Sequence, residues 1–172
     1  MNIHPIFVHF PIALLTVYAI MEIVRLPKLN ALPYYFYIKG SLLIIGILTS
    51  SLALQTGEMA EDLVSRDLHN LVETHATFAN ISTWIFAILA IVYAIIWISK
   101  TEYSQKLNES VFAKIWNIKL NIANKIFNNT ALIVLLSIAG LGAITITGAL
   151  GGAIVYGPDV DPIVSFFYYL IM

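Results

Sequence analysis

The sequence predicts an all-α membrane protein, a four-transmembrane-helix bundle, and three observations carry that prediction. Apolar residues fill 59% of the 172 positions and charged residues only 11%, whereas a soluble domain carries about a quarter charged residues. Four apolar runs are each long enough to cross a hydrocarbon layer, which takes roughly 20 helical residues. Eight of the nine basic residues fall on one side of the resulting four-span chain.

The first span covers about residues 6–24. Pro11 lies near its start, where a missing N–H costs little. The first 25 residues lack a basic opening and a small-residue cleavage signal, so they read as a retained helix and not a secretory leader. The second span, about 36–54, follows Tyr34, Tyr35, Phe36 and Tyr37, an aromatic cluster suited to a membrane interface. The third covers about 76–98 and the fourth about 131–155. Residues 159–172 are too few to cross again and are expected to lie along the interface. The chain forms one domain over 1–172, with no internal repeat or low-complexity tract.

Arg25, Lys28 and Lys39 are assigned to the loop after span 1, and Lys100, Lys106, Lys114, Lys119 and Lys125 to the loop after span 3. Only Arg66 falls on the other side, with Glu58, Glu61, Asp62, Asp67, Glu73, Asp159 and Asp161. The positive-inside rule then makes both basic loops cytoplasmic and puts both termini on the outer, periplasmic side. Residues 102–128 mix lysines with Val111, Phe112, Ile115, Trp116, Ile118, Leu120 and Ile122 at helical spacing. They read as an amphipathic cytoplasmic helix on the anionic inner leaflet, or as an ordinary basic loop helix.

Cysteine is absent. That excludes disulfides, iron–sulfur ligation and thiol chemistry, and leaves His, carboxylate, Met or Tyr for any metal or redox role. No basic patch with interleaved aromatics occupies a soluble face, so nucleic acid is not an expected partner. Against a transport path, the span centres carry no charged residue.

The chemistry-bearing residues are the four histidines, all at the outer ends of spans. His4 and His9 flank the start of span 1, and His69 and His75 precede span 3. Imidazole is a common ligand of metals and of haem iron. A haem held between two helices needs one His from each at similar depth, which His9 and His75 satisfy. His4 and His69 would form a second pair nearer the surface, for a second haem or a metal. Gly148, Gly151 and Gly152, near the same end of span 4, would let a flat macrocycle approach the backbone, or would simply allow close helix packing. The competing arrangement is a non-haem iron, copper or zinc site. His69 and Glu73 share a helix face if that stretch is helical, with Glu58, Glu61, Asp62, His75 and His4 nearby. The bland alternative is four interfacial imidazoles bonded to loop carbonyls.

The run His4-Pro5-Ile6-Phe7-Val8-His9-Phe10-Pro11-Ile12-Ala13-Leu14-Leu15 resembles the opening signature of the DUF2231 family of bacterial four-helix membrane proteins. Thr56-Gly57-Glu58-Met59-Ala60-Glu61-Asp62 looks like that family's polar motif after span 2, and His75-Ala76 sits where the family places a His. Thr147-Gly148 and the stretch from Gly151 to Gly157 resemble the motif closing the last span in one branch. The chain departs from the pattern at Ala76, where family members often carry Glu, and at Pro158-Asp159. The resemblance covers all four spans but not the long basic loop. It implies a membrane partner of cytochromes in a bacterial inner membrane, with haem binding.

Two functions are therefore expected. One is a b-type haem protein moving electrons near the periplasmic face as a subunit of a respiratory or redox complex. Its partners would be other membrane subunits, a periplasmic cytochrome and quinol, with Tyr156, Glu73 or Glu58 relaying protons. The other is a structural membrane subunit without a cofactor. Either is an accessory or electron-transfer subunit more than a stand-alone enzyme.

Overall fold

Backbone N–H and C=O groups have no water to bond inside a bilayer, so an apolar chain must satisfy them within each segment, and helices do that. The computed structural model describes residues 3–61 and 64–172. In it α1 spans His4–Val24, α2 Pro27–Asn30, α3 Tyr35–Glu61, α4 His69–Ser99, α5 Tyr103–Asn108, α6 Ala113–Phe127, α7 Thr130–Tyr156 and α8 Pro162–Ile171. The described residues are otherwise turns and one short 3-10 segment, Arg66–Leu68. Four of these helices, α1, α3, α4 and α7, are long and apolar enough to cross a membrane; the third such candidate also takes in the 3-10 turn before α4.

The four run up, down, up and down. The most extensive packing joins α1 to α3 and α4 to α7. Then come α3 against α4 and α1 against α7, so α1 and α4 face each other across the bundle axis. The core between them is Leu15, Tyr18, Leu43, Phe86, Leu89 and Tyr93. Outward lie large apolar side chains such as Phe10, Ile45, Leu48, Trp84, Ile91 and Leu135, the arrangement expected where the solvent is lipid and not water. In lipid the hydrophobic effect does not drive helices together, so close packing has to. Gly46 admits Leu15 and Gly140 admits the Phe86 ring; a Cβ at either position would fall within 2.5–2.8 Å of those side chains.

The helices outrun the apolar spans read from sequence. The second span was expected to end at residue 54, but α3 continues through Glu61. The third was expected to begin at 76, but α4 begins at His69. Hydropathy measures the length that lipid covers, whereas a helix continues for as long as its next backbone bond is favourable. At 1.5 Å per residue α3 is about 40 Å long, longer than the ~30 Å hydrocarbon layer.

The basic connection after α4 folds into α5 and α6. α6 buries Trp116 and Ala123, with Ala123 against Val92 and Ile96 of α4, and leaves Ile115, Ile118 and Ile122 exposed. α8 returns onto α7, Val164 packing at Gly152. Its start is fixed by Asp161, whose Oδ1 accepts from the N–H groups of Ile163 (2.8 Å) and Val164 (3.0 Å), with Pro162 in the first turn.

Candidate functional site

Two polar layers sit on the bundle axis, one near each end, separated by the apolar core. His4 and Glu22 lie 18 residues apart on α1, and His75 and Tyr93 are equally far apart on α4. That puts about 27 Å between the layers, close to the thickness of a hydrocarbon layer.

At the histidine end each of the four long helices contributes. His4, half-buried on α1, places Nδ1 3.2 Å from Thr56 Oγ1 of α3. The Thr56 hydroxyl also reaches the carbonyls of Leu52 and Ala53, each at 3.0 Å. His75 of α4 donates from Nδ1 to the carbonyl oxygen of Thr147 in α7 at 2.9 Å. The Thr147 carbonyl can only accept, so the His75 proton sits on Nδ1 and its Nε2 is an electron-pair donor; His4 also bonds the backbone at Ala53. Outer-shell bonds of this kind orient a ligating imidazole. Each ring rests on a glycine: Gly57 under His4 and Gly151 under His75, with Cε1 3.2 Å from where a Cβ would stand in each case.

The remaining sequence-predicted residues fall elsewhere. His9 is exposed, its Nδ1 donating to the Pro5 carbonyl of its own helix at 2.6 Å. It follows His4 by five residues, which turns it about 140° around α1, so the pairing expected for His9 with His75 is not the one that the axis assembles. His69 is exposed and lies 3.7 Å from Glu61. Glu73 is exposed on the first turns of α4, and Glu58 is exposed on α3. Asp62 lies outside the described residues. Among the described residues no group of three or more His, Asp or Glu side chains converges to hold a metal ion. Of the glycines proposed to admit a macrocycle, Gly151 is taken up by His75 and Gly152 by Val164, and only Gly148 faces open space. A surface cavity of about 580 Å³, lined by Trp97, Thr101, Tyr103 and Lys106 among others, belongs to the opposite end.

Sequence reasoning missed the second layer. Glu22 of α1 is 1% exposed. Its Oε1 accepts from Lys39 Nζ of α3 at 2.7 Å and from the Tyr93 hydroxyl of α4. Its Oε2 lies 3.7 Å from Arg25. Lys39, counted by sequence with the loop after span 1, is inside α3 and buried. Its ammonium also sits over the rings of Tyr35 (5.1 Å) and Tyr93 (5.9 Å). Tyr18 of α1 and Ser137 of α7 complete the layer, both fully buried. The legible signal was one acid inside the first apolar run and one lysine four residues inside the second helix, joined by a short connection. A charge that near a span's end is easily assigned to the loop.

Searches of protein-family models, curated proteins and solved structures find no match to this chain.

Proposed function

We propose that this chain is a b-type haem-binding, electron-transferring subunit of a membrane redox complex, with His4 and His75 as the haem ligands. One observation carries the reading. Imidazoles from two opposed helices stand at the same end of the bundle, each tethered through Nδ1 to a neighbouring helix, and His75 keeps Nε2 as an electron-pair donor. Neutral, oriented imidazoles of this kind are what haem iron takes. Two protein ligands suffice for haem, whereas a non-haem iron, copper or zinc site asks for three or more. A haem bound there would supply one-electron chemistry, and the chain's own part is to orient the two rings and exclude water.

The setting proposed with this function is the bacterial inner membrane with the histidine end toward the periplasm. Arg25, Lys28, Lys100, Lys106 and the lysines of α6 lie toward the opposite end, which the positive-inside rule makes cytoplasmic. The motif resemblance of the His4–Leu15 run to the DUF2231 family supports the same setting. A periplasmic cytochrome and quinol are the partners proposed for electron exchange.

A structural subunit is the second reading, and the same contacts favour it. His4 bonds α1 to α3 and His75 bonds α4 to α7, so both rings also act as staples between the most tightly packed helices. A reduced-minus-oxidised spectrum with a pyridine haemochrome assay separates the two. The haem reading expects a b-type α-band that His4→Ala and His75→Ala each abolish and His9→Ala leaves in place. A flat spectrum in protein produced with ample haem, together with loss of stability in the same two variants, would establish the structural reading.

A further inference from the structure

The ion-pair layer carries more polar capacity than the contacts within it use. Tyr18 Oη and Ser137 Oγ are fully buried and lack a completed hydrogen bond, although Tyr18 lies within interaction range of Ser137, Tyr93 and Glu22. A buried hydroxyl without a partner costs on the order of 1–3 kcal/mol, and native structures relieve that cost with ordered water wherever several polar groups converge. Here four do: the Tyr18 and Ser137 hydroxyls, within reach of each other but short of a well-aligned bond, the Tyr93 hydroxyl and the Glu22 carboxylate, one or more from each of α1, α4 and α7. They stand beside Lys39 of α3.

The layer also has a way out. Glu22 directs Oε1 inward to Lys39 and Tyr93, and Oε2 toward Arg25. Arg25 is 36% exposed. It ends α1 with φ 40, the left-handed conformation that a residue with a side chain rarely adopts. The chain therefore reverses at that point while the guanidinium stays beside the carboxylate.

The geometry points to a hydrated, proton-exchanging site at the ion-pair end: internal water held by Tyr18, Ser137, Tyr93 and Glu22, exchanging with the adjacent aqueous phase past Arg25. The ligand is water and the protons it carries, and the site stops at the apolar layer of Leu15, Leu43, Phe86 and Leu89. It stands independently of haem at the other end.

The absence of cysteine makes the test clean. Ser137→Cys is near-isosteric and would be the chain's single thiol; Ser82→Cys is the control. Ser82 is buried to a similar degree, but its hydroxyl is satisfied by the Ala79 carbonyl at 2.9 Å. Both variants are treated in lipid nanodiscs with a small, charged methanethiosulfonate. The site predicts that Ser137→Cys reacts at least ~10-fold faster, equivalent to about 1.4 kcal/mol in access. Equal or slower reaction overturns it. Hydroxyl-radical footprinting of the unsubstituted chain is the second measurement, free of any folding defect. With each rate normalised to the intrinsic reactivity of its residue type, Tyr18 and Tyr93 should be oxidised faster than the equally buried Phe86 if water stands beside them, and equal normalised rates overturn the proposal.

Discussion

Glu22 and Lys39 show how much two residues decide in a chain so poor in charge. Removing two ions from water is costly, and their attraction repays it only with good geometry and further hydrogen bonds. The Tyr93 hydroxyl supplies a further hydrogen bond, the Arg25 guanidinium a longer ion pair and the Tyr35 ring a cation–π contact. Breaking such a pair leaves an uncompensated buried charge. Lys39→Ala is therefore expected to destabilise the bundle by about 3–5 kcal/mol, read by denaturant unfolding in mixed micelles, and Glu22→Gln in the same chain should recover part of the loss. A change within about 0.5 kcal/mol, ordinary for a surface position, would show that the pair contributes nothing to stability. At this scale the sequence was only partly readable. All four histidines were visible as candidates, but which ones turn inward depends on the 140° between His4 and His9, and therefore on the rotation of α1 against α3. Hydropathy does not encode that rotation. The Glu22–Lys39 pair was hidden because each residue lies within two turns of a helix end.

Helix ends, by contrast, follow local rules. Asn129 accepts from Leu132 N–H at 3.1 Å at the start of α7, and Asp161 caps α8 with two bonds ahead of Pro162. Span 4 was expected to end near residue 155, and α7 stops at Tyr156 before α8 starts at Pro162. Asp161→Ala removes both capping bonds and should cost roughly 1 kcal/mol of helix stability. Hydrogen exchange of the α8 amides should quicken by the corresponding several-fold while α7 is unaffected; unchanged protection would mean that Val164 packing alone holds α8. Residues 102–128 were expected as one amphipathic helix and form two, α5 and α6, with Val111 and Phe112 in the break between them; the apolar spacing of α6 was legible. Its burial of Ala123 against α4 was not, because spacing gives a helix a face but does not name its neighbour.

For the whole molecule, composition and four apolar runs were enough to give the class of fold, and short connections make consecutive long helices antiparallel. The ring order, with α1 diagonal to α4, was not in the pattern. Gly46 with Leu15 and Gly140 with Phe86 hold the α1–α3 and α4–α7 pairs, and the packing of α3 on α4 and of α1 on α7 sets the order of the two pairs. The proposed orientation makes its own prediction. A reporter active only outside the cytoplasm, fused after Met172, should be active, and the same reporter placed in the α5–α6 connection should be silent. The reverse pattern would overturn the sidedness and move the histidine layer to the cytoplasmic face.

The hydrogen bonds of the two layers differ in what they join. At the histidine end they bind α1 to α3 and α4 to α7, each within a tightly packed pair. At the other end Glu22 binds α1 both to α3 and, across the axis, to α4. The bundle is in this respect a clothes-peg: two stiff arms, each one helix pair, sprung together by the ion pair at one end. Prising the arms apart at the histidine end would swing each imidazole away with its own arm and leave both tethers intact.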